Sequence, residues 1–103
     1  MQLLKQHKTE IEGICQNHHV EKLYVFGSVL TEAFNDASDI DFVVNFGEVE
    51  PSEYFNNFMG FKEEMEALLG RRVDLIENKA VKNPIFRKIL DREMQNIYER
   101  AAA

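Results

Sequence analysis

The residues whose types and spacing suit chemistry are Gly27, Ser28, Asp39, Asp41 and Asp74, and the chemistry they suit is that of a divalent cation and a phosphate. Asp39 and Asp41 open the run Asp39-Ile40-Asp41-Phe42-Val43-Val44. Side chains alternate along a strand, so both carboxylates fall on one face, and that face continues into Val43. Asp74 interrupts Arg72-Val73-Asp74-Leu75-Ile76-Glu77 in the same way. Aspartate is disfavoured in strands, and a buried carboxylate without a partner is costly; cation coordination is one of the few adequate compensations. Ligation by oxygen alone selects Mg²⁺ or Mn²⁺ over zinc, and the single cysteine and three histidines show no zinc-ligand spacing. Gly27-Ser28 ends the apolar run Leu23-Tyr24-Val25-Phe26, a turn that fits a phosphate. Each feature alone has a plainer account. Ser38 and Asp39 can make the local backbone bonds of a turn, Asp74 can pair with Arg71 or Arg72, and Gly27-Ser28 can simply end a strand. The ordered combination favours a metal-nucleotide site.

The elements that must position these groups are legible from periodicity and turn chemistry. Leu4, Ile11, Ile14 and Cys15 recur at helical spacing, with His7 and His18 on the same stripe, and predict an amphipathic helix over residues 2–18. His7 and His18 read as partly buried packing residues and His19 as exposed. A first strand follows over 23–28, buried on both faces, and a polar loop from Thr31 to Ala37 leads to a second strand over 39–46 that Gly47 ends. Pro51 and Ser52 start a second helix through Tyr54, Phe58, Phe61, Met65 and Leu68, with Gly70 as its left-handed stop. Its Glu63, Glu64 and Glu66 read as a solvated face, and Phe55 and Met59 lie beside the apolar stripe. Residues 72–77 form a third strand. Asn83 as N-cap and Pro84 as first helical residue open a third helix to about residue 92, and Gln95 to Glu99 reads as a short edge strand. The order α-β-β-α-β-α-β predicts an α/β (α+β) domain, one small mixed sheet flanked by helices.

A chain of 103 residues with 45% hydrophobic and 29% charged side chains is sized for one domain with one modest core, read as residues 1–100 with 101–103 as an unassigned tail. The net charge of −6 argues against extended nucleic-acid binding, because an acidic surface repels phosphate backbones. No apolar run is long enough to span a membrane or serve as a leader, and one cysteine excludes an internal disulfide, so a cytoplasmic protein is expected.

With Gly27-Ser28, Asp39-x-Asp41 and Asp74 in Val73-Asp74-Leu75, each on its expected element, the sequence resembles the minimal nucleotidyltransferase (MNT) group of the polymerase-beta-like nucleotidyltransferase superfamily. The likeness runs from the first strand to the last helix. It implies the polymerase-beta-like fold and a role for each residue. Gly27 lets the backbone approach the phosphates of ATP, and Ser28 offers its amide and hydroxyl to the β and γ oxygens. Asp39 and Asp41 hold two divalent ions roughly 3.5–4 Å apart. Asp74 completes one metal shell and helps deprotonate the acceptor. Relatives often carry arginine and glycine soon after Gly-Ser, whereas this chain has Val29-Leu30-Thr31-Glu32.

The resemblance further implies Mg²⁺-dependent transfer of AMP from ATP to a hydroxyl, a tyrosine by preference, of a HEPN-type helical toxin, with this chain as the antitoxin. A chain this short has little room to enclose a small acceptor, which points the same way. The missing arginine and the added Glu32 motivate an alternative, a catalytically weak module that neutralises its partner by occlusion. Modification of a small molecule of the aminoglycoside type is the third possibility.

Overall fold

The computed structural model describes residues 2–101. Its centre is a four-stranded mixed sheet of order β3-β2-β1-β4, with β1 at Val20–Phe26, β2 at Ile40–Phe46, β3 at Val73–Glu77 and β4 at Gln95–Glu99. β1 is antiparallel to both β2 and β4, while β2 and β3 are parallel. A parallel pair needs a long crossover, and the helix α3 (Pro51–Leu69) supplies it. The helices α1 (Gln2–Gln6) and α2 (Lys8–Asn17) precede the sheet, and α4 (Pro84–Glu93) joins β3 to β4.

The sheet is covered on both faces, unequally. Leu23 and Val25 of β1 and Ile40, Phe42, Val44 and Phe46 of β2 form the main core with Ile11 and Cys15 of α2 and Phe61, Met65 and Leu69 of α3. On the other face Val43 and Leu90 are buried outside that cluster, and the Phe86 ring of α4 meets the Phe26 ring edge-on at 6.0 Å. α4 is only ten residues long and shelters part of this second face. β1 is therefore half-buried there at Tyr24 and Phe26, and β2 is the strand most enclosed on both sides. Double burial was expected of the first strand; it holds for its neighbour.

Boundaries differ from the sequence expectation where polar residues or an unsignalled break intervene. β1 begins at Val20, because Glu21 and Lys22 are accommodated by cross-strand partners, Arg100 at 3.3 Å and Glu99 at 4.0 Å. It stops at Phe26, leaving Gly27 and Ser28 to a 3₁₀ turn. The expected helix over 2–18 is broken at His7, whose backbone leaves the helical region at φ −111, ψ 21. Gly70 stops α3 at φ 65, Asn83 Oδ1 accepts the N–H groups of Ile85 and Phe86, and residues 95–99 form the edge strand, all as expected. Glu66 leaves the solvated face predicted for it: its carboxylate accepts the Val73 N–H at 2.9 Å and ties α3 to β3. Glu64 meets the His18 imidazole, which also packs edge-on against Phe61. His7 and His18 are half-buried and His19 is exposed, at a left-handed φ of 61.

Among the described residues no helix is long and apolar enough to cross a membrane. Ala102 and Ala103 of the predicted tail lie outside the described residues.

Cys15 is fully enclosed, and burial first, with Glu12 second, pushes its thiol up to about 12. The thiolate is the nucleophile, so the native protein should resist iodoacetamide at pH 8 and react completely once denatured. Rapid alkylation of the native chain would contradict this packing of α2 on the sheet.

Candidate active site

β1 delivers the chain to Gly27 at φ 83, a conformation L side chains rarely adopt, and the backbone folds into a 3₁₀ turn over Gly27–Leu30. The turn is closed on the Ser28 carbonyl, which accepts both the N–H and the hydroxyl of Thr31 at 2.9 Å. Glycine is required for a second reason. A Cβ at position 27 would stand 2.5 Å from Asp41 Oδ2, so a side chain there would force that carboxylate to move.

Sheet register brings the acids to this turn. Asp41 is the antiparallel partner of Phe26 and the parallel partner of Asp74. Register partners on adjacent strands project to the same side, so Asp41 and Asp74 sit next to one another, with the Gly27 turn on the other flank of Asp41. This is the face that α4 only partly covers. The Asp41 carboxyl is pushed above the ordinary aspartate range, foremost by burial. Asp74 adds to this through its charge and a hydrogen bond that forms only when one of the pair holds a proton, and the charge of Asp39 adds a smaller contribution.

Asp39 stands just before β2 and is exposed. Together with Asp74, Lys62, Glu66, Arg72 and Val73 it lines a cleft of about 290 Å³ at the β3 edge. The structure therefore joins Asp41 to Asp74 and sets Asp39 at the mouth. Among the described residues no three acidic, histidine or cysteine side chains are gathered tightly enough to form a finished metal cage. What is present still fits a hard cation: all donors are carboxylate oxygens, and they repel one another at neutral pH until a positive charge intervenes.

Two cations have places the sequence did not indicate. Lys62 lies on α3 and reaches the cleft only because the crossover carries that helix past the β3 edge. Arg71 is no partner for Asp74 and is not solvated surface; its guanidinium turns toward the connection between β1 and β2. Arg72 does line the cleft.

A glycine-serine turn at the end of one strand, with acids in register on the next two strands of a small mixed sheet, defines a nucleotidyltransferase domain. The chain belongs to the polymerase beta nucleotidyltransferase family, whose profile matches residues 9–103. It is 35% identical over 88 residues to the protein adenylyltransferase MntA of Thermococcus cleftensis, covering 85% of this chain and 83% of that one. A solved structure provisionally named a minimal nucleotidyltransferase superposes with a TM-score of 0.73 at 28% identity, covering 89% of this chain and 90% of the other. The fold also recurs, with a TM-score of 0.63 at 13% identity, in a complex from Shewanella oneidensis of a tri-AMPylated HEPN toxin with its MNT antitoxin, covering 93% of this chain and 72% of that one.

Proposed function

We propose that this chain transfers AMP from ATP to a tyrosine hydroxyl of a HEPN-type partner, using divalent cations held by Asp39, Asp41 and Asp74, and so acts as that partner's antitoxin. The observation that carries this reading is the register pairing of Asp41 with Asp74 beside a turn whose φ of 83 favours glycine. Kinship with MntA supports adenylyl transfer, and the AMPylated toxin of the Shewanella complex supports the partner class.

In this reading the Gly27 and Ser28 amides and the Ser28 hydroxyl bind the β and γ phosphate oxygens of ATP. The acceptor oxygen attacks the α phosphorus, the bond to the bridging oxygen breaks, pyrophosphate leaves, and the acceptor proton passes to an Asp74 carboxylate oxygen. Bound Mg²⁺ neutralises phosphate charge and favours the ionised acceptor. The chain's own contribution is positioning, with Asp41 in the middle and the phosphate turn and the general base on either side of it.

The test is incubation with a HEPN-type partner, Mg²⁺ and ATP labelled at the α phosphorus. Label on a partner tyrosine is expected, and its absence with folded protein sinks the transfer. The lack of a cation in Val29-Leu30-Thr31-Glu32 favours occlusion as the second reading. Joint replacement Asp39→Asn and Asp41→Asn separates the two. Transfer requires that neutralisation be lost while the complex persists, and occlusion requires that it survive.

A further inference from the structure

Of the three acids, Asp39 alone lies outside the sheet ladder, at the end of the connection over 27–39. Something other than strand pairing must hold it. The residue after it is anchored, because Ile40 N–H donates to the Arg72 carbonyl at 3.0 Å. Before it, the connection is tied to itself by short-range bonds. Asn35 Oδ1 accepts the Ala37 N–H at 2.8 Å, Ser38 Oγ accepts the Asn35 N–H at 3.0 Å, and the Asn35 carbonyl accepts the Ser38 N–H at 3.0 Å. Such a knot has a fixed internal shape but no fixed place on the domain.

Arg71 supplies the place. Its Nη1 donates to the Asn35 carbonyl at 2.6 Å and to the Ser38 carbonyl at 3.2 Å, and its guanidinium carbon lies 4.4 Å from the centre of the Phe34 ring. Phe34 in turn packs against the hydrophobic core. The side chain of Arg71 is only 14% exposed. Its own backbone is set by the left-handed Gly70 on one side and, two residues on, by the bond from Val73 N–H to Glu66. The Nη2 contact with Asp36 at 3.7 Å matters least, because the Asp36 side chain is 111% exposed and an ion pair in solvent contributes little. The grip comes from charge-assisted bonds to two backbone carbonyls together with stacking on an aromatic ring. Both carbonyl bonds leave from Nη1 while the guanidinium carbon stays over the Phe34 ring, so one planar group bonds and stacks with different atoms, whereas a lysine has a single nitrogen for both tasks.

We propose that Arg71 is a positioning residue for the cation site: it clamps the connection between β1 and β2 so that Asp39 is presented beside Asp41 and Asp74. The inference rests on the proposed role of Asp39 as a cation ligand. Groups that orient metal ligands typically contribute about 10–100-fold to metal affinity, and the effect expected here lies at the lower end because the clamp acts through backbone.

The experiment is Mn²⁺ titration by calorimetry, paired with thermal melting of the same samples. Arg71→Ala should still melt cooperatively, since the core is untouched, and should bind Mn²⁺ about tenfold more weakly. Arg71→Lys, which keeps the charge and the aliphatic stem, should also bind more weakly and decides the matter should the alanine variant fail to fold. Asp36→Asn should bind as the wild type does. Wild-type affinity in folded Arg71→Ala, or full affinity in Arg71→Lys, overturns the clamp. Asp39→Asn is measured alongside: if it too binds Mn²⁺ like the wild type, the ligand assignment itself falls. If Asp39→Asn loses affinity while Arg71→Ala keeps it, only the clamp falls.

Discussion

Replacing Asp41 by asparagine should abolish AMP transfer and, with divalent cations absent, should make the folded chain melt at a higher temperature. The two effects have one cause. Burial, then Asp74, then Asp39 hold the Asp41 carboxyl above its ordinary range. A carboxyl raised in the folded state contributes stability while it is protonated, below its unfolded value near 3.9, and that contribution is lost as pH rises through the folded value. At pH 7 without cations the ionised Asp41 is therefore a liability. Asparagine keeps the shape and removes the charge, so the variant should gain a few degrees at pH 7, with the gain shrinking as the pH falls toward the carboxylate range. Transfer should fall about 10³-fold or more, because in the proposed role Asp41 would hold a cation at the reacting phosphate, and such a cation contributes several kcal/mol of charge stabilisation. Adding Mn²⁺ and ATP should raise the melting temperature of the wild type through preferential binding to the folded state, and should raise that of the variant much less. Label-transfer assays and melting curves at several pH values check both arms. A variant that melts lower without cations, or one that transfers at the wild-type rate, is incompatible with Asp41 as the half-buried centre of the site.

How much of this was legible in the sequence depends on whether each residue's role is local. Gly70 stopping α3 and Asn83 capping α4 follow from neighbours in the chain, and the structure keeps both; the alternation expected to put Asp39 and Asp41 on one strand face also reads locally, but β2 begins only at Ile40 and leaves Asp39 outside the ladder. Asp74 could be singled out because an acid between Val73 and Leu75 has no local reason to be there. That it pairs with Asp41 could not be seen, because the register of a parallel pair is set by the whole of α3 lying between them. The same limit explains Arg71 and Arg72. They are identical in type and adjacent, yet one clamps the connection between β1 and β2 and the other lines the cleft, a division made by the left-handed turn at Gly70. Glu66 read as solvent-facing because three acids within four positions of a helix usually are; its bond to Val73 exists only once β3 has docked. His7 breaks the first helix with no glycine or proline to announce it.

Gly27→Ala should damage stability and transfer together, for reasons separable by comparison with Gly13→Ala. At φ 83 an alanine is strained, by roughly 1–2 kcal/mol, and its Cβ would meet Asp41 Oδ2 at 2.5 Å. That oxygen is the tip of a side chain that can rotate, so the clash itself is relieved at modest cost. The relief consists of swinging Asp41 away from the Gly27 turn and out of its alignment with Asp74. The melting temperature should therefore drop by about 5–15 °C, while transfer falls by roughly 100-fold, as expected when a reacting-site group is displaced by about 1 Å. Gly13 lies in α2 with nothing within 4 Å of an added Cβ, and alanine there should stabilise the fold by about 0.5–1 kcal/mol and leave transfer unchanged. The double variant should recover part of the lost stability and none of the lost transfer. Recovery of both would mean that Gly27 acts through stability alone, and the close approach of its backbone to Asp41 would then have no part in catalysis.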